Sequence, residues 1–218
     1  MDIKMIIFDM DGVIFEGHNF WLDLHRAYGT EKDAIELAKQ FLYTTRESDY
    51  IYLSKYTTKF LWEGKSASTY YDLIEKRTYQ PGIHKLFDYI HNKHIDTAII
   101  SSGAYDLALR AQADLGVNIV LANRIHISNS VVTGEVNVMV PDNSKDKVGK
   151  KLMCELGIQY KAVAFLGDTD SDAPLSRIVG LPISYNSSSR KLRNVCKFNL
   201  HYGELEKVID ILDKFLGT

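Results

Sequence analysis

Short apolar runs that stop abruptly at polar tips recur along this chain, separated by stretches whose apolar residues return every three or four positions. The first run, Met5 to Phe8, leads straight into Asp9-Met10-Asp11-Gly12. The second, Thr97 to Ile100, ends in Ser101-Ser102-Gly103. The clearest, Ala162 to Leu166, ends in Gly167-Asp168-Thr169-Asp170-Ser171-Asp172. Continuous apolar runs of this length, bounded by turn residues, predict strands buried on both faces of a parallel sheet. Asn118 to Ala122 and Leu181 to Tyr185 add two more. Helical spacing predicts helices over Ile83–His94, Tyr105–Leu115, Ser144–Leu156 with Gly157 as the stop, a short one from Ser187, and Glu204–Leu216. Strands alternating with helices predict an α/β fold built on a doubly wound parallel sheet. Arg124–Ser128 and Val131–Val140 alternate around Ser128-Asn129-Ser130 and predict a hairpin off that sheet.

Between the first and second strands the pattern changes. Phe15 to Asn19 is turn-prone, and from Phe20 to about Tyr79 no strand-like run occurs. Ala34, Leu37, Ala38, Phe41 and Leu42 fall at helical spacing, and further helices are predicted over Ile51–Trp62 and Ala67–Ile74. Thirteen of the 24 aromatic residues and both tryptophans lie in this segment, which is expected to bury a small core of its own with them. The division expected is a core of residues 1–17 and 80–218 with a small α-helical cap, residues 18–79, inserted after the first strand.

Composition narrows the class. A chain of 218 residues, 45% hydrophobic and 25% charged, fits one globular unit with an insert. Its net charge of −2 gives no general attraction to nucleic acid or anionic membrane. No apolar run reaches membrane-spanning length, and the start, Met1-Asp2-Ile3-Lys4, enters a strand at once. Cys154 and Cys196 are expected to be packed thiols in a reducing compartment. A soluble cytoplasmic protein is the expectation.

Three of the strand tips carry chemistry, and ligands of open α/β sheets sit outside such carboxyl ends. Asp9 and Asp11, one residue apart, repel each other unless a cation or a shared proton intervenes. Asp168 and Asp172, four apart at a helical turn, present two carboxylates toward one point. Hard oxygen ligands of this kind suit Mg²⁺, which takes one or two carboxylates with waters and phosphate oxygens. Ser101 can donate a hydroxyl hydrogen bond beside the Ser102 and Gly103 amides, or simply cap a helix. Lys145, Lys147, Lys150 and Lys151 form a cationic run, most of it a solvated helix face. Lys145, in the first turn, is best placed to reach the strand tips, with Lys147 in reserve.

The order D-x-D-G, serine, lysine, G-D-x-x-x-D, with a helical insert after the first motif, resembles the haloacid dehalogenase superfamily of aspartate-nucleophile phosphatases. The closest likeness is to its phosphoserine-phosphatase-like branch. The resemblance runs through the whole chain in motif order and implies a Rossmann-like core. It also implies roles. Asp9 becomes the nucleophile that forms an aspartyl-phosphate. Asp11 becomes the acid that protonates the leaving alkoxide and the base that then activates water. Gly12 lets the backbone approach the phosphate. Ser101 and Lys145 would bind the phosphoryl oxygens. Magnesium would lie among Asp9, Asp168 and the backbone carbonyl of Asp11, with Asp172 orienting its waters or Lys145. The branch usually has glycine where Ser102 stands, which leaves open which hydroxyl faces phosphate. It also has a Gly-x-Asn pattern where Asp170 and Ser171 stand, so Ser171 is expected to contact phosphate or substrate instead.

The expected substrate is a small phosphorylated metabolite, with phosphoserine first. Its amine would need an acid near the first motif, where His18 occupies the direct register and Glu16 lies two residues earlier. Its carboxylate would need a cation such as Arg46 or Lys59. Alternatively, His18, Phe20 and Trp21 line a pocket for a larger or less charged leaving group. A response-regulator-like phosphoacceptor module shares the acids, the serine and the lysine but accounts for neither the insert nor the late acidic cluster. A dehalogenase has no use for Asp11, since halide leaves without a proton. A phosphotransferase would use the same residues and exclude water.

Overall fold

The computed structural model describes residues 2–17, 19–40, 46–142 and 144–215. Strand β1 (Met5–Phe8) is wholly buried, with Met5 and Ile7 packed into one apolar layer and Ile6 and Phe8 into the other. A strand covered on both faces has no polar side to alternate, which is why the run reads as continuously apolar.

The chain then forms α1 (Phe20–Tyr28), α2 (Glu31–Lys39), α3 (Glu47–Tyr56), a π-helical segment over Thr57–Trp62, and α4 (Ala67–Lys76). The Asn19 side chain caps α1 by accepting from the Leu22 amide at 3.0 Å, and Gly29, at φ 70°, ends it. The rest is α5 (Ile83–Asn92), β2 (Asp96–Ala104), α6 (Tyr105–Leu115), β3 (Ile119–Ser128), β4 (Val131–Asn137), α7 (Lys145–Glu155), β5 (Val163–Gly167), α8 (Ala173–Ser176), β6 (Leu181–Tyr185), α9 (Arg190–Arg193), β7 (Phe198–Leu200) and α10 (Lys207–Asp213). The seven strands order as β4-β3-β2-β1-β5-β6-β7, parallel throughout except for the β3–β4 pair. The fold is the expected doubly wound α/β sheet. β1 lies between β2 and β5, so the three polar tips meet at one end of the sheet.

Several elements differ from expectation. The hairpin is no appendage: β3 pairs parallel with β2 along its first half and antiparallel with β4 along its second. Strand β7, only three residues long, carries too little pattern to be seen in sequence. The aromatic residues of the insert do not form a separate core. Phe20, Leu24, Trp62 and Tyr70 join the same buried cluster as Ile6, Phe8 and Phe87. Cys154 is exposed rather than packed, and both cysteines are free thiols. Among the described residues, no helix is long and apolar enough to cross a membrane.

The insert is tied to the sheet at two places. Its two chain ends pair with each other: the Glu16 amide donates to the Thr78 carbonyl, and the Gln80 amide to that of Ile14, both at 2.9 Å. Further out, residues 64–67 lie along β4. The amides of Gly64 and Ala67 donate to the carbonyls of Val132 and Ser130 at 2.9 Å, and the Val132 amide donates to the Lys65 carbonyl at 3.0 Å.

His25 is buried in this aromatic packing. Its Nδ1 accepts from the Trp62 indole at 3.3 Å, with the ring centroids 4.6 Å apart. Burial pulls its pKa down to about 4, against the opposing pull of Asp33 and Glu31. A histidine titrating near its ordinary 6.5 when unfolded takes up its proton first in the unfolded chain. The stability that His25 contributes as a neutral ring is therefore present above about pH 6.5 and is lost as pH falls toward 4. Urea unfolding across that window is expected to show a steeper acid loss for the wild type than for His25→Gln, and parallel profiles would refute the assignment.

Candidate active site

Lys145 opens α7, and the spacing of that helix turns Lys145, Gly149, Leu152 and Met153 inward. Its side chain is only 1% exposed, and its Nζ lies 2.7 Å from Asp9 Oδ2 and 2.6 Å from Asp172 Oδ1. An ammonium so buried is stable only against carboxylates. Burial alone would lower the lysine's pKa, but Asp172 and Asp9 outweigh it and raise it. The reserve residue Lys147 points to solvent and pairs with Glu47 at 2.5 Å, so Lys145 alone of these two reaches the strand tips.

Asp172 is held from both sides. Its second oxygen accepts from the amides of Asp168 and Thr169, each at 2.9 Å, and from the Thr169 hydroxyl at 3.2 Å. This reciprocal cap starts the 3₁₀ turn Asp170–Asp172 directly after β5. Asp172 thereby fixes Lys145 with one oxygen and the strand tip with the other.

Asp11 faces a different cation. Its Oδ1 accepts from Arg77 Nη2 at 3.0 Å and its Oδ2 from the Phe20 amide at 3.3 Å. Arg77 also holds Asp23 of α1, at 2.7 Å, and lies over the Phe20 ring. Burial raises the Asp11 pKa despite Arg77. Gly12 takes φ 80°, which turns the chain away from the sheet there, and its carbonyl accepts from Gln80 Nε2 at 3.0 Å. Arg77 was not foreseen. It sits among other charges before Gln80-Pro81, and only the fold shows that the outgoing and returning ends of the insert meet beside Asp11.

Contrary to expectation, Ser101, Ser102 and Gly103 do not stand at a helix start. They prolong β2, which breaks register with β3 between Ile100 and Ala104, and α6 begins only at Tyr105. The buried Ser101 hydroxyl accepts from the Gly103 amide at 3.1 Å. Gly103 has no room for a side chain: a Cβ there would lie 2.6 Å from Met10 Cε and 3.0 Å from Asp11 Oδ2. The Ser102 carbonyl collects three donors, Trp21 Nε1 at 2.8 Å, Tyr50 OH at 3.2 Å and Asn123 Nδ2 at 2.9 Å. Both insert and core thus hold this peptide. None of those three donors has a motif that could have announced it.

Carboxylate oxygens of Asp9, Asp168 and Asp172 lie within 4.8 Å of one another, all buried. Burial, outweighing the pull of Lys145, pushes Asp9 up to about 7. Burial and then the charges of Asp9 and Asp172 hold Asp168 well above the carboxylate range. Three acids sharing one lysine form a site short of positive charge, and their hard oxygens fit a divalent cation such as Mg²⁺. The side chain of Asp11 lies outside this cluster, turned to Arg77, so only its backbone is left as a ligand.

A cavity of about 530 Å³ opens above these residues, lined on the sheet side by Asp9, Asp11, Ser101, Ser102, Gly103 and Ser171. Ser171 also shares a 2.9 Å hydrogen bond with the Thr169 hydroxyl. Glu16 does not join them. Its carboxylate accepts from Thr78 at 2.8 Å and from Tyr202 at 2.6 Å, because the paired neck of the insert turns it outward. His18 lies outside the described residues.

The family model for haloacid dehalogenase-like hydrolases matches residues 6–177. A phosphoserine phosphatase of Campylobacter jejuni subsp. doylei is 25% identical over 211 residues, 96% of this chain and 100% of that protein. One from Methanocaldococcus jannaschii is 21% identical over 184 residues, 84% of this chain and 85% of that protein. A substrate-bound phosphoserine phosphatase complex superposes with a TM-score of 0.79 at 18% identity, covering 97% of this chain and 99% of that one. A phospho-aspartyl intermediate analogue of phosphoserine phosphatase gives 0.76 at 19%, covering 98% and 99%.

Removing the central cation tests this account of the site. Lys145→Met leaves Asp9 and Asp172 buried against each other and is expected to cost about 3–5 kcal/mol in urea unfolding without divalent ions. Millimolar Mg²⁺ should restore part of that loss. Lys147→Met, on the exposed face, should stay within about 0.5 kcal/mol of the wild type.

Proposed function

The chain belongs to the haloacid dehalogenase-like hydrolase family, and from that premise we propose that it hydrolyses small phosphomonoesters through an aspartyl-phosphate on Asp9. The observation that carries the proposal is the separation of two neighbouring carboxylates by different cations. Asp9 faces Lys145 inside the acidic cluster, whereas Asp11 faces Arg77 at its edge. Adjacent acids in unlike surroundings are the arrangement that divides nucleophile from proton carrier.

An Asp9 oxygen attacks phosphorus while the bond to the ester oxygen breaks. Asp11, its pKa raised by burial, gives its proton to the departing alkoxide. The same carboxylate then takes a proton from water as that water attacks the acyl phosphate, releasing phosphate and regenerating Asp9. Lys145 carries positive charge to the phosphoryl group, and Ser101 adds a hydroxyl donor. Asp9, Asp168 and the Asp11 carbonyl would hold Mg²⁺, with Asp172 steering Lys145. When bound, the ion supplies positive charge that offsets the equatorial oxygens. Residues 18–79 act as the cap over this site. Phosphoserine, named for the relatives, is the first ester to assay.

Asp9→Asn is expected to abolish turnover and the acid-stable trapping of labelled phosphate on the enzyme, with an unchanged melting temperature or a higher one. Turnover at the wild-type rate would end the covalent mechanism. Mg²⁺ should raise the melting temperature of the wild type, by about 2.7 kcal/mol of stability at a hundredfold excess over its Kd. Asp168→Asn should erase most of that rise, and a melt that ignores Mg²⁺ at active concentrations would argue against the site.

A further inference from the structure

The cavity above Asp9 is larger than a phosphate group requires. Its 530 Å³ or so lies within the roughly 300–1,000 Å³ typical of pockets that bury whole organic ligands. The wall contributed by the insert is uncharged and largely apolar: Trp21 and Leu22 of α1, Ile35 of α2, Tyr50 and Leu53 of α3, and Trp62 make most of it, with the neutral polar groups of Asn19, Ser54, Thr57 and Thr58 between them. Among the described residues, no Asp, Glu, Lys or Arg of the insert lines it.

The charged groups that a zwitterionic leaving group would need are engaged elsewhere. Glu16 is held by Thr78 and Tyr202, Lys59 pairs with Glu63 at 2.7 Å, and Arg46 is 78% exposed and bound to Asp49. Arg77 is committed to Asp11 and Asp23. His25, an imidazole that the described residues place on the cavity lining, is held neutral by its burial. The other charged residues of the lining, Asp142 and Asp170, are acidic like Asp9 and Asp11. Among the described residues of the lining, a carboxylate brought here would find neutral donors but no opposite charge to offset the water it loses. A flat apolar body would instead pack against two indoles and a phenol.

We propose that this cavity selects phosphomonoesters whose leaving group is an uncharged alcohol with an aromatic or branched apolar body, and turns away those that carry a carboxylate. The proposal rests on the phosphomonoesterase reading and specifies its substrate class. The tilted pair of Trp21 and Trp62, with centroids 5.7 Å apart, forms the back of the recognition wall. Trp21 also donates to the Ser102 carbonyl, which joins recognition of the leaving group to the end of β2 beside Asp9 and Asp11.

The test compares kcat/KM, in Mg²⁺, for 2-phenylethyl phosphate, ethyl phosphate and O-phosphoserine. All three are alkyl esters, so differences report on the cavity rather than on an activated leaving group. The 2-phenylethyl ester is expected to exceed both others by at least about tenfold, within the range that an apolar pocket can supply. Leu53→Arg, which places a cation on the wall, should lower the ratio of 2-phenylethyl phosphate to phosphoserine by a similar factor. Equal values, or a preference for phosphoserine, would overturn the proposal. Calorimetric binding of 3-phenylpropylphosphonate against 2-amino-4-phosphonobutanoate separates the two levels of the argument. If no ester is hydrolysed but the phenyl compound binds more tightly, the hydrolytic reading fails and the selectivity stands. Tighter binding of the amino acid overturns the selectivity whatever the turnover.

Discussion

A single buried ammonium holds the catalytic end of the molecule together. Lys145 lies between Asp9, at the tip of the central strand, and Asp172, in the turn after β5. Each of these elements would be untenable alone, because a buried charge without a partner costs several kcal/mol. The triad therefore ties the start of α7 to β1 and to the tip of β5, and Asp172 completes the tie through the amides of Asp168 and Thr169. One lysine cannot neutralise three carboxylates. The remaining deficit of positive charge is what prepares the site for a divalent ion and a phosphoryl group, so the constraint that shapes the fold here also defines its chemistry.

A second cation ties the insert to Asp11. Arg77 comes from the returning end of the insert and grips Asp11 and Asp23 together. Asp11 is thus held by a residue of the insert, while Asp9 is held by one from a helix of the core. The Ser102 carbonyl adds a parallel link, since Trp21 and Tyr50 of the insert and Asn123 of β3 converge on it. Placement of the helices over the cavity and placement of the end of β2 are consequently one problem, with shared hydrogen bonds.

What could be read from the sequence was whatever depends on local order. Parallel strands covered on both faces must be continuously apolar, so β1, β5 and β6 stood out. Acids at the ends of β1 and β5 marked the candidate site. Lys145 could be preferred over Lys147 because it falls in the first turn of its helix, within reach of the strand tips, and matches the lysine of the family that the chain resembles. Contacts between remote segments left no such trace. Arg77 meets Asp11 across 66 positions, and Asn123 meets Tyr50 across 73. Glu16 illustrates the opposite failure: its position beside the first motif suggested a place in the site, but the pairing of residues 14–16 with 78–80 turned it outward. The aromatic residues were expected to form a private core for the insert and instead merge with that of the sheet, because helices lying on a sheet share the surface they cover.

The strip of residues 64–67 laid along β4 has a meaning beyond catalysis. β4 is the outermost strand on its side of the sheet, and an uncovered outer strand offers its amides and carbonyls to any passing chain. Here Gly64, Lys65 and Ala67 occupy those groups at Ser130 and Val132. The insert that lines the cavity thus also covers, through residues 64–67, the start of the border along which copies of the molecule would otherwise stick to one another. Shortening or exchanging the insert to change substrate would reopen that border, and self-association would then limit the product before chemistry did.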